Sequence, residues 1–523
     1  MHYRLAIAVA LLLAVFVGWS VLAGGKAATA ERPVPRAGDL LPALQLPSDS
    51  ELAADLADAV DFRLRENFDR VHDAWDPGEL LEHATLTQIA LDRGIFGKEA
   101  LFAKGDELFE YEFRLEHGLG NRLVGRDRTL SGARPRPNMR RVHKGAFGGP
   151  DSHSCATCHF KGGPDGAGTG TQNAMLNGDG ISSASADQRN APHVLGLGAV
   201  QALAVEMTRE LAALVEVGKE RARTAGEPVT VPLVSKGVSF GRVRISSTGE
   251  VDASGVVGVD RDLVIRPFGW KGHQATIRAM AEESFRIHLG VVSMRLQRLA
   301  QKGQLDTKIH GDGPWYDIDR DGVSMELDSG MLTTMVAYLA QLEVPEIQPP
   351  RDSTLLDLFG SGSTLFQQVG CNDCHRRVLP LKDPVIELRP QQPEYADRAP
   401  IRIDVAVDGE HPKIEPQNGM RTAYNVELFS DLKRHDMGPA LATPGTHNGV
   451  PPSVFLTRSL WGLADTAPYL HDGRAPTVHD AIRLHGGEAA AARDAYQALT
   501  ERDRAALRVF LMSLGRQPKL FVP

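Results

Sequence analysis

The 523-residue chain has four cysteines, and all of them fall in two short stretches, Cys155-Ala-Thr-Cys158-His159 and Cys371-Asn-Asp-Cys374-His375. Two thiols three positions apart, followed at once by an imidazole, form the pattern on which haem c is attached. Each thiol makes a thioether with a vinyl group, and the histidine becomes the proximal iron ligand. Other chemistries share part of this pattern. A thioredoxin-type redox pair needs a βαβ setting, which neither stretch has. A zinc site built from two Cys-x-x-Cys knuckles leaves the following histidines unexplained. A disulfide framework would forfeit both pentads. The sequence therefore predicts two covalently bound haem c groups, one on Cys155, Cys158 and His159 and one on Cys371, Cys374 and His375.

The elements that must position these sites follow an apolar N-terminus. A short basic region ending at Arg4 precedes an apolar run from Leu5 to Leu22, with small-residue cleavage positions at Val21–Ala23 and Ala28–Ala30. This predicts a signal peptide over 1–30, with an uncleaved membrane anchor over 5–22 as the competing reading. Either way the expected location is periplasmic, the side of the membrane on which haem is joined to such pentads. A formal net charge of −8 gives no footprint for nucleic acid. It suits small-molecule or redox-protein partners.

Residues 31–125 read as a helical N-terminal region, with a capped stretch from Glu51 to Phe68 and a second helix over Lys98–Phe113. Arg, Gly and Pro dominate 121–150 and glycine dominates 162–180, so both read as irregular segments around the first pentad. Helix is predicted again over Ala199–Val217, Trp270–Leu299 and Met331–Leu342, and Leu355–Phe366 opens the second unit. Between them, the β-branched runs Val229–Val234, Val238–Ser246 and Val251–Val264 predict a hairpin or three-stranded insertion at about 228–266. The Pro-rich run 344–350 marks a domain boundary, and 380–417 reads as a polar, Pro-rich excursion. Thr477 and Thr500, each followed three positions on by an aspartate, open two C-terminal helices. Asp317, Asp319, Asp321 and Asp328, with Gly322 at the sixth position, have the spacing of a calcium loop, so Ca2+ is an expected ligand there.

The chain also repeats itself. Phe268-Gly-Trp270-Lys-Gly272-His-Gln-Ala-Thr276-Ile277 aligns without gaps on Tyr469-Leu-His471-Asp-Gly473-Arg-Ala-Pro-Thr477-Val478. A similar helix closes each half, Val336–Leu342 and Arg508–Leu514. Pentad, turn motif and closing helix thus recur in one order. The expected fold is mainly α, with two tandem cytochrome-c-like haem domains (126–350 and 351–523) and a small β insertion in the first.

Tandem units of this kind behind a signal peptide resemble the bacterial di-haem cytochrome c peroxidase and MauG superfamily. Ala467-Pro-Tyr-Leu-His471-Asp-Gly-Arg474-Ala-Pro-Thr477 resembles its stretch after the second haem. His435-Asp-Met-Gly438 and His485-Gly-Gly-Glu-Ala489 are similar to its di-haem oxidoreductase branch. The resemblance implies that Trp270 lies between the haems as an electron conduit. It also implies that His485, with Met437 as the alternative, is the distal ligand of the second haem. The peroxidases' Gln and catalytic Glu fall at Met280 and Gly290 here, which leaves Glu282, Glu283 and His288 as the nearest proton-shuttling residues. His288 and His193 are the candidates for the distal side of the first haem.

The expected function is that of a peroxidase-like oxidoreductase, with one haem for electron transfer and one for substrate chemistry. A small redox protein of cytochrome c or cupredoxin type is the expected electron donor, and peroxide or another small oxidant the substrate. A di-haem electron carrier and an oxygen-activating enzyme acting on an organic or protein substrate are the alternatives.

Overall fold

Threonine, serine and aspartate side chains set where most of the described helices begin, because a short oxygen-bearing side chain can accept the backbone N–H groups that a first helical turn leaves unpaired. A computed structural model describes residues 86–120, 151–176, 183–306, 313–324, 326–390 and 396–517. The apolar run 5–22, the stretch from Glu51 to Phe68 and the loop 121–150 lie outside the described residues. Within them the helices are α1 (Gln88–Asp92), α2 (Lys98–Glu110), α3 (Leu197–Ala225), α4 (Ile277–Ser284) and α5 (Met294–Gln301). They continue with α6 (Ser329–Gln341), α7 (Ser353–Gln368), α8 (Val478–Leu484), α9 (Ala490–Ala498) and α10 (Glu501–Leu511). Thr276, Thr477 and Thr500 cap α4, α8 and α10 through their hydroxyls.

Helix α6 is the axis of the first half, with every residue from Gly330 to Gln341 buried. Helix α2 crosses it at Gly105, where a Cβ would lie 2.4 Å from the Tyr338 Cβ. In the second half α7 crosses α10 at Gly362, where a Cβ would lie 2.0 Å from the Ala506 carbonyl oxygen. Aromatic rings lock both crossings, Phe109 on Tyr338 at 5.5 Å and Phe366 on Phe510 at 5.4 Å. Each crossing also carries a pentad. The Cys155 N–H donates to the Phe109 carbonyl at 3.1 Å, and the Cys371–Asp373 turn follows directly on α7.

The repeated turn recurs in backbone detail. Phe268 bridges Gln274 as Tyr469 bridges Ala475. Gly269 (φ +73°) and Leu470 (φ +71°), which occupy equivalent positions, share the left-handed conformation.

The mainly α expectation is corrected. The described residues are 38% helix and 16% strand, with the strand spread over several small sheets, a mixed composition. The predicted insertion is present as β3 (Val229–Ser235), β4 (Val238–Ile245) and the short β5 (Val251–Asp252), in the order β3-β4-β5. It packs on α3 at Gly218, against Val231 and Ile245. Two short pairs add to it: β1 (Ala174–Leu176) with β2 (Asp187–Arg189), and β11 (Arg434–Asp436) with β12 (Val454–Leu456).

The largest departure is the supposed excursion after Pro380. It holds β6 (Leu379–Leu381), β7 (Val385–Leu388), β8 (Ile401–Asp404), β9 (Glu415–Gln417) and β10 (Met420–Val426). These pair as β6-β10-β9 and β7-β8. Leu379, Leu381, Ile386, Ile403, Tyr424 and Val426 join the same hydrophobic cluster as α3 and α6. Burial against those helices therefore stabilises strands too short to hold alone. The expected helix over 270–299 is also broken. It begins only at Ile277, widens into a π-helical turn at Phe285–Leu289 and stops at Gly290 (φ +82°), whose missing Cβ admits the Gly120 backbone.

Candidate haem sites

The second pentad opens on a cavity of about 460 Å³ whose walls include Cys371, Cys374, His375, Met437, His485, Trp270 and His193. His375 holds its Nδ1 3.0 Å from the Phe429 carbonyl, and His485 holds its Nδ1 2.8 Å from the Ala481 carbonyl. A ring N–H donated to a backbone carbonyl fixes the tautomer and leaves Nε2 as a lone-pair donor, the arrangement of metal-ligating histidines. Both rings are held neutral. Burial, then the His485 charge, pushes His375 down to about 4, and burial likewise lowers His485. The expected ligands His375 and His485 are thus brought to one cavity, with Met437 on its wall as well.

The same wall carries a charged group that no sequence signal marked. Arg458 has no carboxylate partner among the described residues, and burial lowers its pKa to about 10. Its guanidinium lies 5.6 Å from the Trp270 ring centroid. An unpaired cation on an apolar cavity wall fits a ligand that brings its own carboxylates, as the haem propionates do. The donor set and this arginine therefore fit a haem at the second pentad. His435 is fixed beside Cys374. Burial opposes its charge, but Asp431 at 2.9 Å and Glu488 at 2.7 Å push its pKa up to about 11.

At the first pentad His159 repeats the motif, with Nδ1 3.3 Å from the Gly166 carbonyl and the Phe109 ring 5.8 Å from its own. Burial, with the nearby His288 among the further causes, pushes its pKa down to about 4. His288 and His193 both fall within electrostatic reach of His159, and they differ in character. His288 sits on the π-helical turn with its Nδ1 3.3 Å from Asp151. Burial opposes its protonation, but the Asp151 carboxylate outweighs this and raises its pKa. His193 is buried, its Nδ1 lacks a partner, and burial, then the Arg458 charge, pushes it down to about 3.

The two expected carboxylates are committed elsewhere. Glu282 is buried and takes hydrogen bonds from Ser293 and Arg295. Glu283 accepts from His273 at 2.6 Å and Gln274 at 2.9 Å. Burial opposes its charge, but the His273 contact holds its pKa down at about 2. Glu283 therefore stays ionised, and Glu282 is tied into an ion pair. Of the three expected proton shuttles this leaves His288, whose pKa Asp151 raises, and Asp151 itself carried no motif.

Trp270 lines the cavity at the second pentad. Its Nε1 donates to the Asn190 carbonyl at 2.8 Å, and the Asn190 N–H donates to the His471 carbonyl at 2.8 Å. One residue thus joins the two copies of the repeated turn. The calcium loop is brought together only in part. Asp317, Asp319 and Asp321 place carboxylate oxygens within 4.8 Å of one another. Asp328 is not with them. Its Oδ1 accepts the Gly330 and Gln88 backbone N–H groups, both at 2.7 Å, as the cap of α6.

Comparison with known proteins bears out the resemblance read from the sequence. Residues 404–514 match the family model described as "Di-haem oxidoreductase, putative peroxidase". This supports haem as the cofactor and an oxidoreductase role. No curated protein sequence matches. Among solved structures, a hydrazine synthase of Kuenenia stuttgartiensis is 14% identical, over 85% of this chain and 99% of the other, with a TM-score of 0.29. A MauG-like protein associated with microbial copper homeostasis is also 14% identical, over 85% of this chain and 96% of the other, with a TM-score of 0.31.

Proposed function

We propose, from the premise that residues 404–514 belong to the di-haem oxidoreductase family, that the two pentads carry covalent haem c and divide the work of a peroxidase-like oxidoreductase. Bound haem supplies one-electron redox chemistry and, where its sixth position is open, reaction with a small oxidant. The observation that carries the division is the unequal state of the histidines around the pentads. At the second, His375 and His485 are neutral with Nδ1 fixed on backbone carbonyls, which is a two-imidazole ligand set suited to electron transfer. At the first, His288 is paired with Asp151 and inclined to hold a proton, which suits a general acid–base group beside a reacting oxidant. Trp270, hydrogen-bonded to Asn190 on the cavity wall, is the conduit between them.

The signal-peptide reading places the protein in the periplasm. A cytochrome c or cupredoxin is the proposed donor, and peroxide the leading oxidant. A second reading, a pure electron carrier, draws on His193, whose neutral ring could complete the first ligand set. EPR and optical spectra of the oxidised and half-reduced protein, followed by peroxide addition, test the assignment. One low-spin and one high-spin centre with peroxide turnover are expected. Two low-spin, peroxide-inert centres would overturn the enzyme reading in favour of the carrier.

A further inference from the structure

The loop between α5 and α6 holds a group of carboxylates that the haem chemistry does not use. Asp317, Asp319 and Asp321 converge there, and none has an ion-pair partner among the described residues. Asp319 is 3% exposed, and neither of its carboxylate oxygens has a hydrogen-bond partner. A fourth carboxylate lies within electrostatic reach of the three, outside their close group: Glu326 is 6% exposed, and its Oε1 has no partner. Its other oxygen accepts the Val292 N–H at 2.7 Å. A buried carboxylate without partners costs several kcal/mol, and crowding like charges around it raises that cost. Burial and the neighbouring aspartates push Asp319 up to about 8 and Glu326 up to about 11, the mark of a missing positive charge.

The backbone is shaped to converge these groups. The Asp321 N–H donates to Asp317 Oδ1 at 3.0 Å, the Val323 N–H donates to Asp321 Oδ1 at 2.7 Å, and Gly322 turns the chain at φ +96°. With Asp328 committed to the cap of α6, the acid that completes the set comes two residues earlier than calcium-loop spacing anticipates.

The geometry points to a divalent cation site of calcium's chemistry formed by Asp317, Asp319, Asp321 and Glu326. All four donors are hard oxygens, which excludes a preference for thiophilic or imidazole-binding metals. Several carboxylates on a loop suit the larger, less exacting shell of Ca2+ better than the strict octahedron of Mg2+. The cation would also brace the first haem site. Glu326 holds Val292 by its amide, and Leu327 exchanges backbone hydrogen bonds with Val292 and Met294, directly after the π-helical turn that carries His288.

The test is isothermal titration of the chelator-treated holoprotein with CaCl2 and, separately, MgCl2. One Ca2+ per chain is expected, bound more tightly than Mg2+. Asp319→Asn and Glu326→Gln should each weaken it by at least about 10- to 100-fold, whereas Asp328→Asn, which keeps a capping side chain, should leave it within about threefold. Both key variants relieve repulsion and should fold. Melting curves with and without CaCl2 check this, because only a chain that binds the ion gains thermal stability from it. No saturable uptake, uptake untouched by Asp319→Asn and Glu326→Gln, or loss in Asp328→Asn equal to theirs would overturn the site.

Discussion

Arg516 ties the end of the chain to the loop behind the first pentad. Its Nε donates to Glu343 at 2.6 Å, and a terminal nitrogen donates to the Gly162 carbonyl at 2.8 Å and the Pro164 carbonyl at 2.6 Å. Both charged side chains are 2% exposed. Removing one partner of a buried pair costs about 3–5 kcal/mol. Arg516→Met takes the guanidinium from Glu343 and from two carbonyls, so the expected loss is about 3–5 kcal/mol, a large share of a typical protein's stability. Glu343→Gln leaves the guanidinium its two carbonyls and should cost less, nearer about 3 kcal/mol. The double variant Glu343→Gln, Arg516→Met removes both charges of the pair and should lose markedly less than the two single losses together. Urea denaturation of the holoprotein measures all three. Gly162 and Pro164 lie just after His159, so the spectrum of the first haem should change in Arg516→Met while that of the second is kept. A single-variant loss under about 1 kcal/mol, or strict additivity in the double, would show that the pair is not coupled and refute the reasoning.

His485→Ala should convert the second centre from low to high spin in EPR while Met437→Leu leaves it unchanged; the reverse pattern would transfer the ligand role to Met437. Asp151→Asn removes the charge that raises His288, so the proton should leave at lower pH and the alkaline limb of a peroxide-turnover profile should move acid-ward. The same sign governs stability. The pair stabilises the fold below the ordinary histidine pKa and that contribution is lost as pH rises through the raised one, so an unchanged pH dependence in Asp151→Asn contradicts the pairing. Gly196 has φ +66°, and a Cβ there would lie 2.2 Å from the Trp461 ring, so Gly196→Ala should cost about 3 kcal/mol in denaturation midpoints.

What the sequence made legible was written in contiguous residues. The pentads, the threonine caps and the repeated turn each need only neighbours along the chain, and all recur in the structure. The strands after Leu379 were hidden because their partners are distant. β6 pairs with β10, so that Leu381 meets Tyr424 and Leu379 meets Val426. Nothing within β6, three residues with a central proline, announces a pairing with a strand some forty residues on, and the apolar face appears only when α3 and α6 cover it. The break at Gly290 was equally silent, because a π-turn spends the same residue types as a helix. Asp328 misled for a physical reason, since an aspartate before a helix satisfies the capping pattern and the calcium pattern alike, and here the cap won. Arg458 and Asp151 gave no signal, because an isolated charge acquires meaning only from the cavity or ring that it faces.

The duplicated turn shows how one backbone came to support two different sites. Both copies share the left-handed residue and the closing bridge, so the side chain that follows, Trp270 in one and His471 in the other, leaves the turn from the same backbone geometry. Asn190 joins them, accepting from the Trp270 indole and donating to the His471 carbonyl, and all three residues line the cavity. His471 stacks on Phe455 at 4.6 Å, and burial holds its pKa down at about 3. A neutral imidazole against Phe455 on one side and a hydrogen-bonded indole on the other make the junction aromatic and held in place, with the Arg458 guanidinium 5.6 Å from the indole, an arrangement consistent with the proposed electron path. In the proposed scheme proton chemistry falls to His288 and Asp151 beside the first pentad, whereas the other strongly propped histidine, His435 with Asp431 and Glu488, sits beside Cys374 of the second. The proposed division of labour therefore rests on what surrounds each pentad, because the pentads themselves are chemically alike.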